Sequence, residues 1–598
     1  MKQQILDEIK KNNKMTYKAL LSKFNIGHRE LEQILLTLKL EGKILQLHNH
    51  YKIFPNGLYL GNVLASSSNR KYIMCNNQKI SLASNFLNGL MLNDVVTFTL
   101  NDNNEAEIYT IVDRQIGKMT CEVRQVNGKK TIIPYHDNIN VKLPNHILDK
   151  LYDGDIIVVN IDPFTDETYL ETIGRKDDPL IDDLIIALNY GFDDTYDEEY
   201  MAEVAALPTF VSEKECQNRI DYRNQPCFTI DGKYTKDMDD GVYGEICDND
   251  IVRIYVHIAD VSHYIKENSR IFERACQKTT SLYLNNSVFH MLHHIISYGI
   301  CSLNENCDRL TKTIVMDIDS KGNIVNFDIQ KSVINSKKKM TYEDVDEIIM
   351  HNNMVSGYEP FEKTLYILYK AALRLEQRYV DENGKNDFAN NELSIDYNDD
   401  GTIQKVNNHS DSISRKIIEY LMIAANETVA NWFLNIDMPT VYRVHEIPSA
   451  SKINRVIAIL NKEGYKIKPV KDIDNPKVLQ KVLHVISAYE EYPIISSMLV
   501  MAMPRAKYSV ENVGHYALAL LAYLHFTSPI RRLADLLVHQ IIDLIYEEPD
   551  KITPEYLNEL EKQLKYLCNR ASLETTKQNI CQPPILECGA HGDCPSVP

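Results

Sequence analysis

Four aspartates crowd one short stretch of this chain: Asp231, Asp237, Asp239 and Asp240, within DGKYTKDMDDG at 231–241. Like charges this close repel one another unless cations neutralise them. Oxygen donors without His or Cys suit Mg²⁺ or Mn²⁺ rather than zinc. A calcium loop of the EF-hand kind does not fit, because Lys233 and Thr235 fall at ligand positions and Val242 falls where the bidentate Glu belongs. The plain alternative is a solvated acidic turn between strands. Far downstream, FTSPIRRLADLLVHQ at 526–540 reads as a helix start, with Ser528 as N-cap and Pro529 at the first position. Its buried stripe would be Ile530, Leu533, Leu537, Ile541 and Leu544. Arg531 then lies in the first turn, where the helix dipole disfavours a cation, so Arg531 and Arg532 suggest an anion nearby. The competing reading is an ion pair of Arg531 with Asp535 one turn on.

Further blocks follow in order: VHIADVSHYI at 256–265, SLYL at 281–284, MLHHIISYGICSLNENCDRL at 291–310, MTYEDV at 340–345, NDFANNE at 386–392, IIEYLMIAANETVA at 417–430, VYRVHEIP at 441–448 and AKYS at 506–509. With the acidic loop and the FTSPIRR segment, this collinear series resembles the catalytic (RNB) domain of the ribonuclease II and ribonuclease R family. The resemblance implies a hydrolytic 3′-to-5′ exoribonuclease that degrades single-stranded RNA to nucleoside 5′-monophosphates, with Mg²⁺ as cofactor and Mn²⁺ as the alternative. Structured RNA with a 3′ overhang is a further substrate to expect. It also implies that Asp231, Asp237, Asp239 and Asp240 hold metal, that Asp240 supports the chemistry, and that Arg531 faces the scissile phosphate, with Arg532 beside it. Tyr283 matches a tyrosine that stacks near the 3′-terminal base, and Phe388 an aromatic that clamps the far end of the stacked nucleotides. Either could be a core residue. Tyr342 and Glu419 align with residues that contact ribose hydroxyls, and Glu574 with a glutamate near the site. This sequence departs from the family pattern at His293, where proline is usual, and at Leu533-Ala534, where an aromatic-proline pair is usual.

These residues need a framework, and the chain is long enough for several domains. The fold class expected is multidomain α+β. Residues 1–54 read as a winged helix, with a stripe of Leu31, Ile34, Leu35 and Leu38 and a hairpin about His48-Asn49-His50. Residues 55–112 and 113–175 read as two small β-barrels of the OB or cold-shock type, from short apolar runs such as VVTFTL and DIIVVNI. One β-sandwich is the bland alternative. Residues 176–215 read as a helical connector, 216–578 as the mixed α/β catalytic domain, and 579–598 as an unstructured tail too short for the third barrel that relatives carry.

Hydrophobic residues make up 44% and charged residues 25%, the balance of a globular chain, so disorder is excluded as the default. The net charge of −18 offers no bulk attraction to phosphate, so any RNA site must be a local basic path. No signal-peptide core and no apolar run of roughly 18 residues is present, which points to a cytoplasmic protein without a membrane partner; a monomer is expected. The cysteines form no CxxC pair, and Cys581, Cys588, His591 and Cys594 match no common zinc spacing. Two rival classes remain. An RNA-binding protein that has lost catalysis should have lost metal-binding aspartates, yet all four are present. A DNA-directed transcription factor would leave the acidic loop unexplained.

Overall fold

Two units divide the chain, Met1–Asp193 and Asp194–Pro598. The computed structural model describes residues 1–581 apart from 25, 28–30, 32–33, 36, 40, 48–49, 56, 66–69, 76–77, 84–89, 92–93, 115–116, 136–140, 142, 162–168, 179–180, 285–286, 387, 389–392, 398–402 and 409–411. The His48-Asn49 turn, most of NDFANNE, and Cys588, His591 and Cys594 lie outside the described residues.

In the first unit, helix Lys2–Asn12 places Ile5 and Ile9 one turn apart, and Asn13 ends it in the left-handed conformation at φ 62°. Those isoleucines meet Leu20, Leu31, Leu35, Leu38, Ile44 and Tyr51 in one core. Strands Ile44–Leu47 and His50–Ile53 form the expected hairpin, and Met15–Thr16 adds a third strand. A five-stranded antiparallel sheet follows, in the order Gln78–Ser81, Lys71–Cys75, Tyr59–Ala65, Val95–Leu100, Ala106–Asp113. A bridge between Leu82 and Ala106 brings its two edges together. Gly61 is required at a close approach, since a Cβ there would sit 2.4 Å from the Ile73 side chain.

The next sheet has four strands among the described residues, in the order Lys129–Pro134, Lys118–Val126, Asp155–Asn160, Tyr169–Arg175. The unbroken apolar run of Asp155–Asn160 reflects burial on both faces. Ile157 and Val159 pack with Met119, Cys121 and Val123, whereas Ile156 packs with Ile181 and Ile185 of helix Ile181–Asn189. The expected connector is therefore shared: its first helix belongs to this unit, while its second, Glu198–Ala206, sends Tyr200 and Val204 into the core of the other.

The second unit is built on a five-stranded sheet in the order Ile220–Tyr222, Ile324–Asn335, Asp308–Ile318, Val252–Ala259, Asp240–Ile246. All neighbours are antiparallel except the first pair. Val252, Ile254, Val256 and Ile258 alternate into the core from the fourth strand. Helix Ile413–Asn435 is apolar on nearly every side because it lies inside the domain, with Ile417, Leu421, Ala424, Ala425 and Val429 all buried. Helices Ala450–Lys462, Pro476–Ile486 and Tyr492–Ala502 close a second core. No described helix is long and apolar enough to cross a membrane.

Candidate active site

The acidic loop joins two strand ends. Asp231 ends Thr229–Asp231, which pairs in parallel with Lys339–Thr341, and Asp240 opens Asp240–Ile246 opposite Ile258. Between them the backbone is tied down at several points. Met238 N–H donates to Ser302 Oγ at 3.1 Å, Leu303 N–H to the Met238 carbonyl at 3.0 Å, and Ala259 N–H to the Asp239 carbonyl at 2.9 Å. Ser302 Oγ donates in turn to the Lys236 carbonyl at 2.8 Å, and Lys339 Nζ to that of Thr235 at 2.5 Å. With Met238 buried as an apolar anchor, the loop holds a fixed shape.

Those carboxylates are poorly served by the protein itself. Asp239 is 3% and Asp240 5% exposed, and Asp231 Oδ2 is enclosed with no hydrogen-bond partner. Burial pushes the Asp231 carboxyl up to about 7. Burial, reinforced by the charge of Asp231, pushes Asp240 up to about 8. Burial also holds Asp239 well above the carboxylate range, although Arg531 opposes it. Three carboxyls disfavoured as anions in one loop would be held in their charged form by a bound cation. The donors are all hard oxygens, and the orphaned Asp231 Oδ2 is a free ligand atom, so the residues fit Mg²⁺ or Mn²⁺. Among the described residues no three acidic, His or Cys side chains are already gathered closely enough to hold a metal ion by themselves. An open arrangement of this kind needs water or substrate oxygens to complete it.

The FTSPIRR segment meets the loop directly. Ile530 N–H donates to Asp239 Oδ1 at 2.8 Å, and Arg531 Nε lies 4.0 Å from Asp239 Oδ2. The local conformation differs from the expected helix start. Ser528 N–H is taken by Asp535 Oδ1 at 2.7 Å, and the Ser528 carbonyl accepts from Arg531 and Arg532 N–H, closing a turn. The helix begins only at Leu533, with Arg532 as its N-cap. Ile530 and Leu533 are nonetheless fully buried, as the stripe requires. The ion pair to Asp535 is made by Arg532, with Nε and Nη2 at 2.8 and 2.7 Å, and not by Arg531. Arg531 is thereby left facing the aspartates.

The other expected residues divide. Tyr283, on the short strand Leu282–Tyr283, donates its hydroxyl to Asp237 Oδ2 at 2.5 Å, so it belongs to the site by a contact that the stacking role did not foresee. Its hydroxyl is held well above the usual tyrosine range by burial and then by the charge of Asp237. Phe388 is buried in the second core with Ile453, Leu479 and Tyr516. Tyr342 is buried in the main core under the Arg415 guanidinium, 4.5 Å from the ring centroid. Glu419 is ion-paired with Lys385, and Glu574 with Lys577 at 2.8 Å on helix Pro554–Cys581. These contacts place Phe388, Tyr342, Glu419 and Glu574 against residues other than the four aspartates.

A buried charge network escaped the reading of the sequence. Asp260, in VHIADVSHYI, pairs with Arg219 at 2.7 Å and with the fully buried Lys312, and Lys312 also reaches Asp543 at 3.1 Å. It ties helix Leu533–Glu547, which follows the arginines, to the sheet that carries Asp240. Its only sequence signal is a lone Asp after an apolar strand. The unusual His293 also has a use: its backbone N–H donates to Tyr200 Oη at 3.0 Å, a bond proline could not make.

A family model described as the RNB domain matches residues 219–548. Ribonuclease R of Thermotoga maritima is 37% identical over 405 residues, covering 67% of this chain and 57% of that protein. Ribonuclease R of Aquifex aeolicus is 29% identical over 587 residues, covering 94% of this chain and 83% of its own length. The chain thus spans little more than half of the Thermotoga relative. A solved structure of Mycoplasma genitalium RNase R in complex with ribose methylated single-stranded RNA superposes with a TM-score of 0.79 at 24% identity, over 87% of this chain and 84% of that one, a likeness of fold.

Proposed function

This chain belongs to the RNB domain family, and from that premise we propose that it is a hydrolytic exoribonuclease acting from the 3′ end of single-stranded RNA and releasing nucleoside 5′-monophosphates. The observation that carries the reading is the loop of Asp231, Asp237, Asp239 and Asp240 with Arg531 4.0 Å from Asp239. Structured RNA with a 3′ overhang falls within the same class, and the solved relative with single-stranded RNA bound supports RNA as ligand. A divalent metal, Mg²⁺ or alternatively Mn²⁺, held by the four aspartates would activate water and stabilise charge on the attacking and leaving oxygens.

The chain's own groups do the rest. Arg531 neutralises the scissile phosphate, and Asp239 keeps its guanidinium beside the acidic loop. Arg532, taken up by Asp535, fixes the turn that presents Arg531. Tyr283 orients Asp237 through its hydroxyl while its ring meets the terminal base. Glu419 is the ribose contact we retain, and Phe388 and Tyr342 act through the cores that shape the RNA path. Winged-helix and OB or cold-shock roles for the first unit would add RNA contacts, and a cytoplasmic monomer is the form we assign. The test is 5′-labelled single-stranded RNA incubated with the protein, with and without Mg²⁺, and resolved over time. Progressive 3′ shortening that requires the metal supports the reading. Internal cuts, or binding without cleavage, oppose it.

A further inference from the structure

Among the described residues, buried basic side chains nearly all have an acceptor. Lys312 has Asp260 and Asp543, Arg532 has Asp535, Arg374 has Asp250, Lys385 has Glu419 and Lys278 has Asp194. Arg309 donates to the carbonyls of Ser302 and Gly299. Arg443 breaks the pattern. It is 4% exposed, and its Nε and Nη1 are enclosed without a hydrogen-bond acceptor. Its guanidinium lies 4.8 Å from the Tyr508 ring centroid, a contact that orients the plane without neutralising the charge. A buried cation without an anion is strongly disfavoured, so Nε and Nη1 of Arg443 call for an anionic acceptor.

The surroundings say what kind of partner. Arg443 and His445 lie two residues apart on one extended segment and share a face. His445 Nδ1 is likewise enclosed without a partner. Arg443 N–H donates to the Tyr523 carbonyl at 2.9 Å, and the Tyr508 hydroxyl and His525 Nδ1 are 2.8 Å apart. That segment runs directly into Thr527 and Ser528, whose hydroxyl oxygens are also enclosed and unpartnered, and then to Arg531. Arg443 thus lies over Tyr508, Tyr508 meets His525, and unpartnered polar groups recur at Thr527 and Ser528 in the segment that ends at Arg531. Among the described residues Arg443 has no ion pair with the four aspartates, whereas Arg531 sits 4.0 Å from Asp239, so the acidic loop does not neutralise Arg443.

We propose that Arg443 binds a phosphate of the RNA strand other than the scissile one, forming a second phosphate subsite. This rests on the RNA reading above. The test uses the full chain carrying Asp240→Asn, so that RNA stays intact, and single-stranded RNAs each bearing one methylphosphonate at successive positions from the 3′ end. One non-scissile position should show a penalty of roughly tenfold in affinity, the loss expected for a charged hydrogen bond. Adding Arg443→Gln should abolish that penalty and leave the others. It should also reduce the slope of log affinity against log salt by roughly 0.7, the value for one phosphate on a single strand. Arg443→Lys, which keeps the charge, should retain both. The proposal is overturned if no non-scissile position is sensitive, or if Arg443→Gln leaves every penalty and the salt slope unchanged. If Arg443→Gln does not fold, Arg443→Met, which also removes the charge, decides in the same terms. Failure of the Asp240→Asn protein to bind any RNA is a separate result and overturns the RNA reading itself.

Discussion

Replacing Lys312 by Met should loosen the joint between the helix that follows the arginines and the sheet that carries the aspartates. Lys312 is fully buried, and its ammonium donates to Asp260, Ser262 Oγ and Asp543. After the change Asp260 would keep Arg219 at 2.7 Å, and Asp543 would keep Lys331 at 3.0 Å. Neither carboxylate is left wholly uncompensated, which places the cost near the lower end of the range for breaking a buried pair, about 3 kcal/mol. Met fills much of the volume, so little of this comes from a cavity. The assay is urea unfolding followed by a probe in the Asp194–Pro598 unit, read as a shift of midpoint at constant slope. The double change Lys312→Met with Asp543→Asn should cost less than the sum of the singles by about 1 kcal/mol or more, because the two residues share one interaction. A single-variant cost under about 1 kcal/mol, or strict additivity, would refute the reasoning.

Two other outcomes follow from named contacts. Tyr283→Phe removes only the hydroxyl that donates to Asp237. It should weaken metal binding, seen as a higher Mg²⁺ concentration for half-maximal rate, while leaving the length of the final RNA fragment unchanged. Tyr283→Ala should also lengthen that fragment, since a base stack is worth roughly 1–3 kcal/mol; identical behaviour of the two variants would remove the ring from the site. The Asp260 carboxyl is held well below the usual range, because Lys312 and Arg219 outweigh the burial that opposes them. A depressed folded pKa gives stability that is present above the unfolded value near 4 and is lost as pH falls below it. Acid unfolding below about pH 4 should therefore be shallower in Asp260→Asn than in the unsubstituted protein, and equal slopes would contradict this.

Much of the site could be read from residue types, because its key groups lie in two short segments. Strand ends at Asp231 and Asp240 follow from the apolar runs flanking the acidic loop, and the buried stripe after Arg531 follows from helical period. The start of that helix did not follow. Ser-Pro is a good N-cap signature, but Asp535 reaches back to the Ser528 N–H and closes a separate turn, a choice that depends on the buried setting of Asp535. The same contact decides between Arg531 and Arg532 as partner of Asp535, two alternatives that differ by one residue in spacing. The Arg219–Asp260–Lys312–Asp543 network joins residues far apart in sequence, and no local pattern marks it. Phe388 shows the opposite limit, since an aromatic matched to an RNA clamp also packs with Ile453 and Leu479, and its residue type does not separate the two roles.

The central claim is that the aspartate loop and Arg531 hydrolyse RNA from its 3′ end, and single-turnover release of mononucleotide from 3′-labelled RNA tests it most directly. The unsubstituted chain should release labelled nucleoside 5′-monophosphate first, only with Mg²⁺ or Mn²⁺ present. Asp240→Asn should bind the same RNA within a few-fold yet release nearly none. Release of nucleoside 3′-monophosphate, release that survives metal removal, or near-normal turnover by Asp240→Asn at saturating RNA would contradict the account.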